Sequence, residues 1–345
     1  MKKFKVAVAG ATGAVGIEMM KMLEARNFPT EEIIPLASER SEGKKVKFRG
    51  KEFAVRNLSR FATEFKPGEC ELALFSAGAS VSKEFAPVFA SKNCFVVDNS
   101  SAFRMEPDIP LVVPEINADV LSKDKKIIAN PNCSTIQMVV VLNPLHKAAR
   151  LKRVIVATYQ SVSGAGGRAI EELLVQTRAI SDGKPIPAPV KFPYQIAFNL
   201  IPQIDVFLEN DYTKEEMKMT NETRKIMRDE NIMLSATCVR VPVVRSHSEA
   251  VWAEFEKDIS PDEARGILEN AEGVKVIDEP QSKKYPMPLY AENQQITYVG
   301  RIRQDVSSGK KNSLTFWVVS DNLLKGAALN AVQIAEELLK RKILV

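Results

Sequence analysis

The first part of the chain alternates short apolar runs with stretches of helical periodicity. Residues 4–9 form an apolar run that ends at Gly10, and residues 14–25 then carry Val15, Met19, Met20, Met22 and Leu23 at helical spacing. Further short runs lie at 33–37, 72–75, 95–97 and 126–129, each leading into polar or turn-forming residues, with a helix-like stretch at 82–91. Short buried strands alternating with helices predict an α/β fold built on a Rossmann-type, doubly wound parallel sheet.

After Cys133 the rhythm changes. Residues 134–149 read as a helix, and 154–162, 239–244, 250–256, 296–303 and 313–320 read as strands. Longer strands with few intervening helices predict an α+β domain with a mixed or antiparallel sheet. The proline-rich stretch 181–193 reads as an ordered surface loop. Residues 321–344 read as an amphipathic helix whose stripe is Leu324, Ala327, Ala328, Ala331, Ile334, Ala335 and Leu338.

A chain of 345 residues has room for about two domains of ~150 residues each. With 45% apolar and 26% charged residues it is no disordered tail, collagen or coiled-coil rod. The formal charge of +5 is spread along the chain, and its densest basic stretch, 40–51, is broken by Glu42. That fits a local anion site or a solvated surface, not a nucleic-acid footprint. Four scattered cysteines and two histidines argue against a disulfide scaffold and a metal centre, and point to a reducing, cytoplasmic compartment. No apolar run approaches the ~20 residues of a membrane span. The signal-like start is set aside because it holds three glycines and runs into the charged residues Glu18, Lys21 and Glu24.

Gly10-Ala11-Thr12-Gly13-Ala14-Val15-Gly16 joins a predicted strand to a predicted helix. Glycines there permit a tight turn and close approach of backbone to phosphate, and the helix start offers N–H groups to a pyrophosphate. The spacing is GxxGxxG, and a tight turn without a ligand is the bland alternative. Past the second run, Ser38, Arg40 and Ser41 are suited to a 2′-phosphate, with Lys44 and Lys45 adding charge. Glu39 is the counter-signal, and a solvated loop the alternative. The balance favours NADP.

Cys133 lies in Asn130-Pro131-Asn132-Cys133-Ser134-Thr135, between a strand and a helix. A helix N-terminus favours a thiolate, so Cys133 is the candidate nucleophile. Cys70, Cys94 and Cys238 lack that setting and read as inert. His247, flanked by small polar residues past an apolar strand, is the candidate base, while His146 reads as a surface or cap residue. Arg240 and Arg245 bracket one predicted strand, so a regular strand turns only one of them toward a site.

Several further stretches carry weight together: 98–104 (Asp-Asn-Ser-Ser-Ala-Phe-Arg), 160–166 (Gln-Ser-Val-Ser-Gly-Ala-Gly), 201–205 (Ile-Pro-Gln-Ile-Asp) and 240–248 (Arg-Val-Pro-Val-Val-Arg-Ser-His-Ser). With the opening glycine turn and the Cys133 stretch, they resemble the aspartate-semialdehyde dehydrogenase family over essentially the whole chain. The resemblance implies an NADP-binding domain at 1–132 completed by the C-terminal helix 321–345, and a catalytic and dimerisation domain at 133–320. It implies NADP-dependent reductive dephosphorylation of L-aspartyl-4-phosphate to L-aspartate 4-semialdehyde, on the way to lysine, methionine and threonine, in a cytoplasmic homodimer.

The resemblance also implies roles. Cys133 forms the thioacyl enzyme, His247 is the acid/base group and Gln160 orients the intermediate. Arg240 holds the substrate carboxylate and Glu215 its amino group. Arg104 and Lys218 hold phosphate, with Asn132 nearby. Gly10, Thr12, Gly13, Ala14, Val15, Ser38, Arg40, Ser41, Ser163, Gly164 and Asn322 form the cofactor side. Read from the residues alone, Arg104 and Lys218 are surface charges, Glu215 starts a solvated helix, Gln160 is a strand residue and Asn322 caps a helix. N-acetyl-gamma-glutamyl-phosphate reductase, with an acetylated substrate one methylene longer, and a non-catalytic dinucleotide-binding protein are the alternatives.

Overall fold

The computed structural model describes residues 2–345, which divide into two compact units. The first comprises residues up to Asn132 together with Ala327–Val345. Its chain begins β1 (Phe4–Ala9), α1 (Ala14–Ala25), β2 (Thr30–Ala37), the hairpin β3 (Lys45–Phe48) and β4 (Lys51–Ala54), then β5 (Arg56–Asn57) and α2 (Leu58–Glu64). It continues with β6 (Leu72–Phe75), α3 (Ala79–Ser91), β7 (Phe95–Asp98), α4 (Pro114–Asn117) and β8 (Ile127–Ala129). Six strands pair in the order β5-β2-β1-β6-β7-β8, all parallel, as the short fully apolar runs require. One core cluster gathers Phe61, Phe65, Phe75 and Phe89 beneath the sheet.

The second unit, Cys133–Gly326, contains α5 (Cys133–Ala149), β9 (Leu151–Gln160), α6 (Gly167–Ser181), α7 (Lys214–Met227), β10 (Met233–Arg240) and β11 (His247–Phe255). It continues with α8 (Pro261–Glu269), β12 (Val274–Val276), α9 (Pro288–Ala291), β13 (Thr297–Gln304) and β14 (Ser313–Ser320). Its sheet runs β10-β9-β11-β14-β13-β12, parallel at both edges and antiparallel through the middle, so it is mixed. Helices α5 and α7 pack on one face. The other face leaves Ile155, Tyr159 and Trp252 exposed. The final helix, α10 (Leu329–Lys340), belongs to the first unit and packs on α1, α4 and β7.

Several elements differ from the expectation. The strand expected at 239–244 runs Met233–Arg240 instead. Pro242 has no N–H for a ladder, and Ser246 takes φ +73°, so the chain turns out of the sheet after Arg240. Arg245 is therefore in the turn and not on a strand. β9 ends at Gln160 because a short 3₁₀ turn, Val162–Ala165, follows. The helix expected from 321 opens with a turn at Asn322 and Leu323 and a π-helical stretch, Leu324–Ala328, before α10 begins. Asp321 imposes that start by accepting from the Leu323 and Leu324 N–H groups. The helix Gly167–Ser181 has no counterpart in the expected elements, and Lys214–Met227 is anticipated only as a helix start at Glu215.

Candidate active site

The strand register of the second unit aligns the candidate chemistry in one row. Gln160 pairs with Arg240 between β9 and β10, and His247 pairs with Ser320 between β11 and β14. β11 pairs with β9 at Ser248 and Tyr159, so His247 stands one step further on, beside Gln160. Arg240, Gln160 and His247 are all buried on the helix-covered face, whereas Tyr159 points out of the other. α5 begins at Cys133, which is only partly buried, while the other three cysteines are buried. Cys70 and Cys94, both in the first unit, approach one another to 3.4 Å between sulfurs.

The imidazole of His247 has a fixed tautomer. Its Nδ1 accepts from the Ser161 N–H at 3.0 Å, which puts the ring hydrogen on Nε2. Nε2 is buried without a hydrogen-bond partner. Burial, then the neighbouring Arg240 cation, push its pKa well below the usual value, against a contribution from the Ser246 backbone. The ring is thus a neutral donor at neutral pH. Behind it, the Asn322 Oδ1 accepts from the Ser246 N–H at 2.9 Å and from the Ser161 and Ser163 hydroxyls at 3.2 and 3.1 Å. Asn322 Nδ2 donates back to Ser163 at 3.0 Å. Asn322 thereby braces the turn that carries His247.

Arg240 Nη1 donates to the Ser161 carbonyl at 2.7 Å. Burial lowers the Arg240 pKa, and Glu215 and Cys133 oppose that shift. Gln160 Nε2 donates to Glu215 Oε1 at 3.3 Å. Glu215 is 5% exposed because α7 lies on β10, so it is no solvated helix start. Lys218 is bound by Asp205 at 2.8 Å and Glu215 at 3.0 Å. Burial lowers the Lys218 pKa, but the two carboxylates outweigh it and raise the net value. Arg245, from the turn that leads into His247, is held by Asp321 at 2.7 Å.

Two glycines leave the room this site needs. A Cβ on Gly164 would lie 3.0 Å from Arg240 Nη1 and 3.2 Å from His247 Nε2. A Cβ on Gly326 would lie 2.7 Å from the Cβ of Cys133. Sequence reasoning missed Ser161, Ser246, Asp321 and Gly326. A polar residue preceding His247 gave no hint of positive φ, and only packing reveals the Gly326 contact.

The first unit holds the remaining candidates at the carboxyl ends of its strands. Gly10 has φ +85°, and a Cβ on Gly16 would sit 2.2 Å from the Gly10 carbonyl oxygen. Only glycine allows that approach. No side chain caps α1, and its first turn has no acidic residue, so its N-terminus suits a pyrophosphate. Thr12, Gly13, Ala14 and Val15 line this turn with at least partial exposure. The Gly10 and Ala11 N–H groups bond the Leu36 carbonyl, which anchors the turn beside the end of β2. There a 3₁₀ turn, Glu39–Ser41, follows Ser38; Ser38 and Arg40 are exposed and Ser41 is buried.

At the end of β7, Asp98 accepts from Ser82 Oγ at 2.6 Å and Ser100 Oγ at 2.7 Å. Arg104 Nη2 donates to the Asn99 carbonyl at 3.0 Å, and Arg104 is 7% exposed, so it is not a surface charge. Asn130 joins Asn99 to Asn330 through bonds of 2.6 and 2.7 Å, and Asn132 is buried just beyond. Among the described residues no group of acidic, His and Cys side chains is placed to hold a metal ion. No helix among them is long and apolar enough to cross a membrane.

The chain matches the semialdehyde dehydrogenase NAD-binding domain family over residues 5–124 and the semialdehyde dehydrogenase dimerisation domain family over 142–325. It is 58% identical to the aspartate-semialdehyde dehydrogenase of Aquifex aeolicus over 339 residues, 98% of each chain. It is 52% identical to that of Campylobacter jejuni, over 99% of each. Among solved structures, aspartate semialdehyde dehydrogenase II of Vibrio cholerae complexed with ASA superposes with a TM-score of 0.94 at 46% identity, over 99% of each chain.

Proposed function

The chain belongs to the aspartate-semialdehyde dehydrogenase family, and from that premise we propose the roles of its residues. It catalyses the reductive dephosphorylation of L-aspartyl-4-phosphate to L-aspartate 4-semialdehyde with a nicotinamide dinucleotide. The observation that carries the assignment of roles is the buried row Arg240, Gln160 and His247. An acyl acceptor next to a donor imidazole and a buried guanidinium suits a short dicarboxylic acyl phosphate.

The Cys133 sulfur attacks the acyl carbon, the C–S bond forms, and the C–O bond to phosphate breaks. A nicotinamide held at the turn from Gly10 to Val15 would supply a hydride to the thioacyl carbon, and C–S cleavage would then return the Cys133 thiolate and release the aldehyde. In both tetrahedral stages negative charge grows on the acyl oxygen. His247 lends its Nε2 hydrogen there, and the amide of Gln160 orients the same group. Arg240 takes the substrate carboxylate as a charge-assisted pair. Glu215 takes the free amino group, which an acetylated substrate lacks, and this favours the aspartyl reading over the acetylglutamyl one. Arg104 and Lys218 take the phosphate, with Asn132 nearby. Lys218 must then loosen its hold on Asp205.

We assign NADP as the cofactor. The exposed Arg40, with Ser38 and Ser41, supports a 2′-phosphate at the end of β2, and the α1 turn from Gly10 and Thr12 to Val15 supports the pyrophosphate. Ser163, Gly164 and Asn322 are assigned to the cofactor as well. A homodimer is supported by the exposed apolar face of the mixed sheet, with Ile155 42%, Tyr159 37% and Trp252 38% exposed, and by the exposed Phe198, Leu200, Val206 and Phe207 in the stretch between α6 and α7. A cytoplasmic location accompanies this biosynthetic role.

The test supplies L-aspartate 4-semialdehyde, phosphate and NADP and follows NADPH absorbance. N-acetylglutamate semialdehyde and NAD run in parallel. Phosphate-dependent turnover of the aspartyl substrate, faster with NADP, is expected. Turnover of the acetylated substrate alone would overturn the substrate assignment, and equal rates with NAD the cofactor assignment.

A further inference from the structure

A second buried row lies one step behind the first in the mixed sheet. Cys238, Thr158 and Glu249 sit side by side across β10, β9 and β11, two residues along from Arg240, Gln160 and His247, and so on the same face. Glu249 is fully buried, and neither carboxyl oxygen has a hydrogen-bond partner. Burial raises the Glu249 carboxyl, and the one side chain that acts against this shift is Gln137 of α5, also fully buried. Gln137 lies about one helical turn beyond Cys133. Its Nε2 donates to the His247 carbonyl oxygen at 3.4 Å, while its Oε1 has no partner. One amide therefore links the helix that starts at Cys133 to the strand that starts at His247.

An ionised carboxyl in that place would be an uncompensated buried charge. No basic side chain acts on Glu249, and burial pushes its carboxyl well above the usual carboxylate range. The titratable neighbours are the Cys238 thiol, which burial pushes up, and His247, which burial keeps neutral. A protonated carboxyl carries one hydrogen, and Gln137 Oε1 is a buried acceptor that lacks one.

We propose that Glu249 and Gln137 are a positioning pair: the Glu249 acid donates to Gln137 Oε1 and thereby aims Gln137 Nε2 at the His247 carbonyl, fixing the nucleophile's helix against the imidazole's strand. Neither side chain touches substrate. The inference rests on the reading of Cys133 and His247 as the reacting pair. A neutral acid also keeps a negative charge out of the row directly behind His247.

The test uses the full-length enzyme and three variants. Glu249→Gln keeps the shape, cannot ionise and still has an N–H for Gln137. Glu249→Leu and Gln137→Met keep volume and remove the bond. Two quantities are read: the steady-state constants, and the rate of Cys133 alkylation by iodoacetamide against pH. Alkylation needs no substrate, so it probes the pair even where the aspartyl assignment fails, and an inactive wild-type enzyme would overturn that assignment alone.

Glu249→Gln is expected within about twofold of wild type in kcat, with the same alkylation midpoint. Glu249→Leu and Gln137→Met are each expected to lower kcat about tenfold with KM within about twofold, and the double variant to be no worse than either single one. Three results would overturn the proposal: Glu249→Gln as impaired as Glu249→Leu, an alkylation midpoint that falls in Glu249→Gln, or full kcat in Gln137→Met. If Glu249→Leu does not fold, Glu249→Gln and Gln137→Met still decide it.

Discussion

The parallel sheet of the first unit and the mixed sheet of the second carry their functional atoms in different places. In the parallel sheet all six strands run the same way, so β1, β2, β7 and β8 end on one edge. The candidate groups sit in the loops beyond that edge, at Gly10, Arg40, Arg104 and Asn132, and the sheet itself is apolar core. In the mixed sheet the candidate groups are on the sheet face, in the row Arg240, Gln160 and His247. A loop can change one residue at a time. A row cannot, because a slip of one residue would turn its members to the face where Tyr159 points. Backbone recognition therefore depends on glycine here, and side-chain chemistry on register.

The sharpest way to isolate the second kind of site is to remove the thiol at its helix start. Cys133→Ser is expected to keep the fold and cofactor binding and to lower kcat at least about 10⁴-fold. Residual turnover above about a hundredth of wild type would break the assignment of Cys133 as nucleophile. Matched glycine changes then separate the two units. Gly164→Ala crowds Arg240 and His247 from 3.0 and 3.2 Å and is expected to lower kcat about 10- to 100-fold with little loss of stability. Gly16→Ala drives a methyl to 2.2 Å from the Gly10 oxygen. It is expected to destabilise by about 1–3 kcal/mol and weaken cofactor binding, leaving Cys133 alkylation unchanged. Denaturant melts, cofactor titration and alkylation rates read the difference; the same response in both variants would erase the contrast.

The two regions also differed in how much of them the sequence revealed. β1, α1, β6 and β14 stand at the residues their apolar pattern marks, because each is a compact run closed by glycine or polar turn residues. β10 was misplaced because the apolar residues Val239, Val241, Val243 and Val244 resemble a strand, while Pro242 and the positive φ of Ser246 take the chain out of the ladder. Cys133 was legible as a candidate because a strand-to-helix junction is written in neighbouring residues. Glu215 and Lys218 were not: α7 is polar in sequence, and only its packing on β10 buries Glu215. Glu249 carried no signal at all, since a strand acid reads as solvent-facing until the register turns it inward. Asn322 reads as a helix cap in the sequence, but Asp321 takes that place, and the four bonds by which Asn322 braces Ser161, Ser163 and Ser246 depend on contacts over 76 to 161 residues of chain.

Cofactor choice tests whether a strand-end loop can be edited alone. Arg40→Ala is expected to lower kcat/KM with NADP about tenfold, the worth of a charge-assisted pair, and to leave the NAD value within about twofold. Steady-state assays with both cofactors measure it. Equal losses with NADP and NAD would show that Arg40 does not read the 2′-phosphate.

The smallest expected effect lies at the rim of the second site. The Asp205 carboxyl is raised by burial, but its hydrogen bond and charge pairing with Lys218 outweigh this and hold it below its usual range. A depressed folded-state pKa stabilises the protein fully above the unfolded value of about 4, and the contribution is lost as pH falls through the folded value. Asp205 is about one-third exposed, so solvent screening keeps that contribution small. Asp205→Asn is therefore expected to melt less than about 1 kcal/mol below wild type at pH 7, with the gap closing as pH falls below about 4. The variant also frees Lys218 from one of its two carboxylates, so KM for phosphate in the reverse assay is expected to fall about twofold. Melting curves across pH and phosphate titrations check both. A gap that widens in acid would reverse the sign of the Asp205 contribution. An unchanged phosphate KM would mean that the pair does not hold Lys218 back from the anion, and the register-built row would then be independent of its rim.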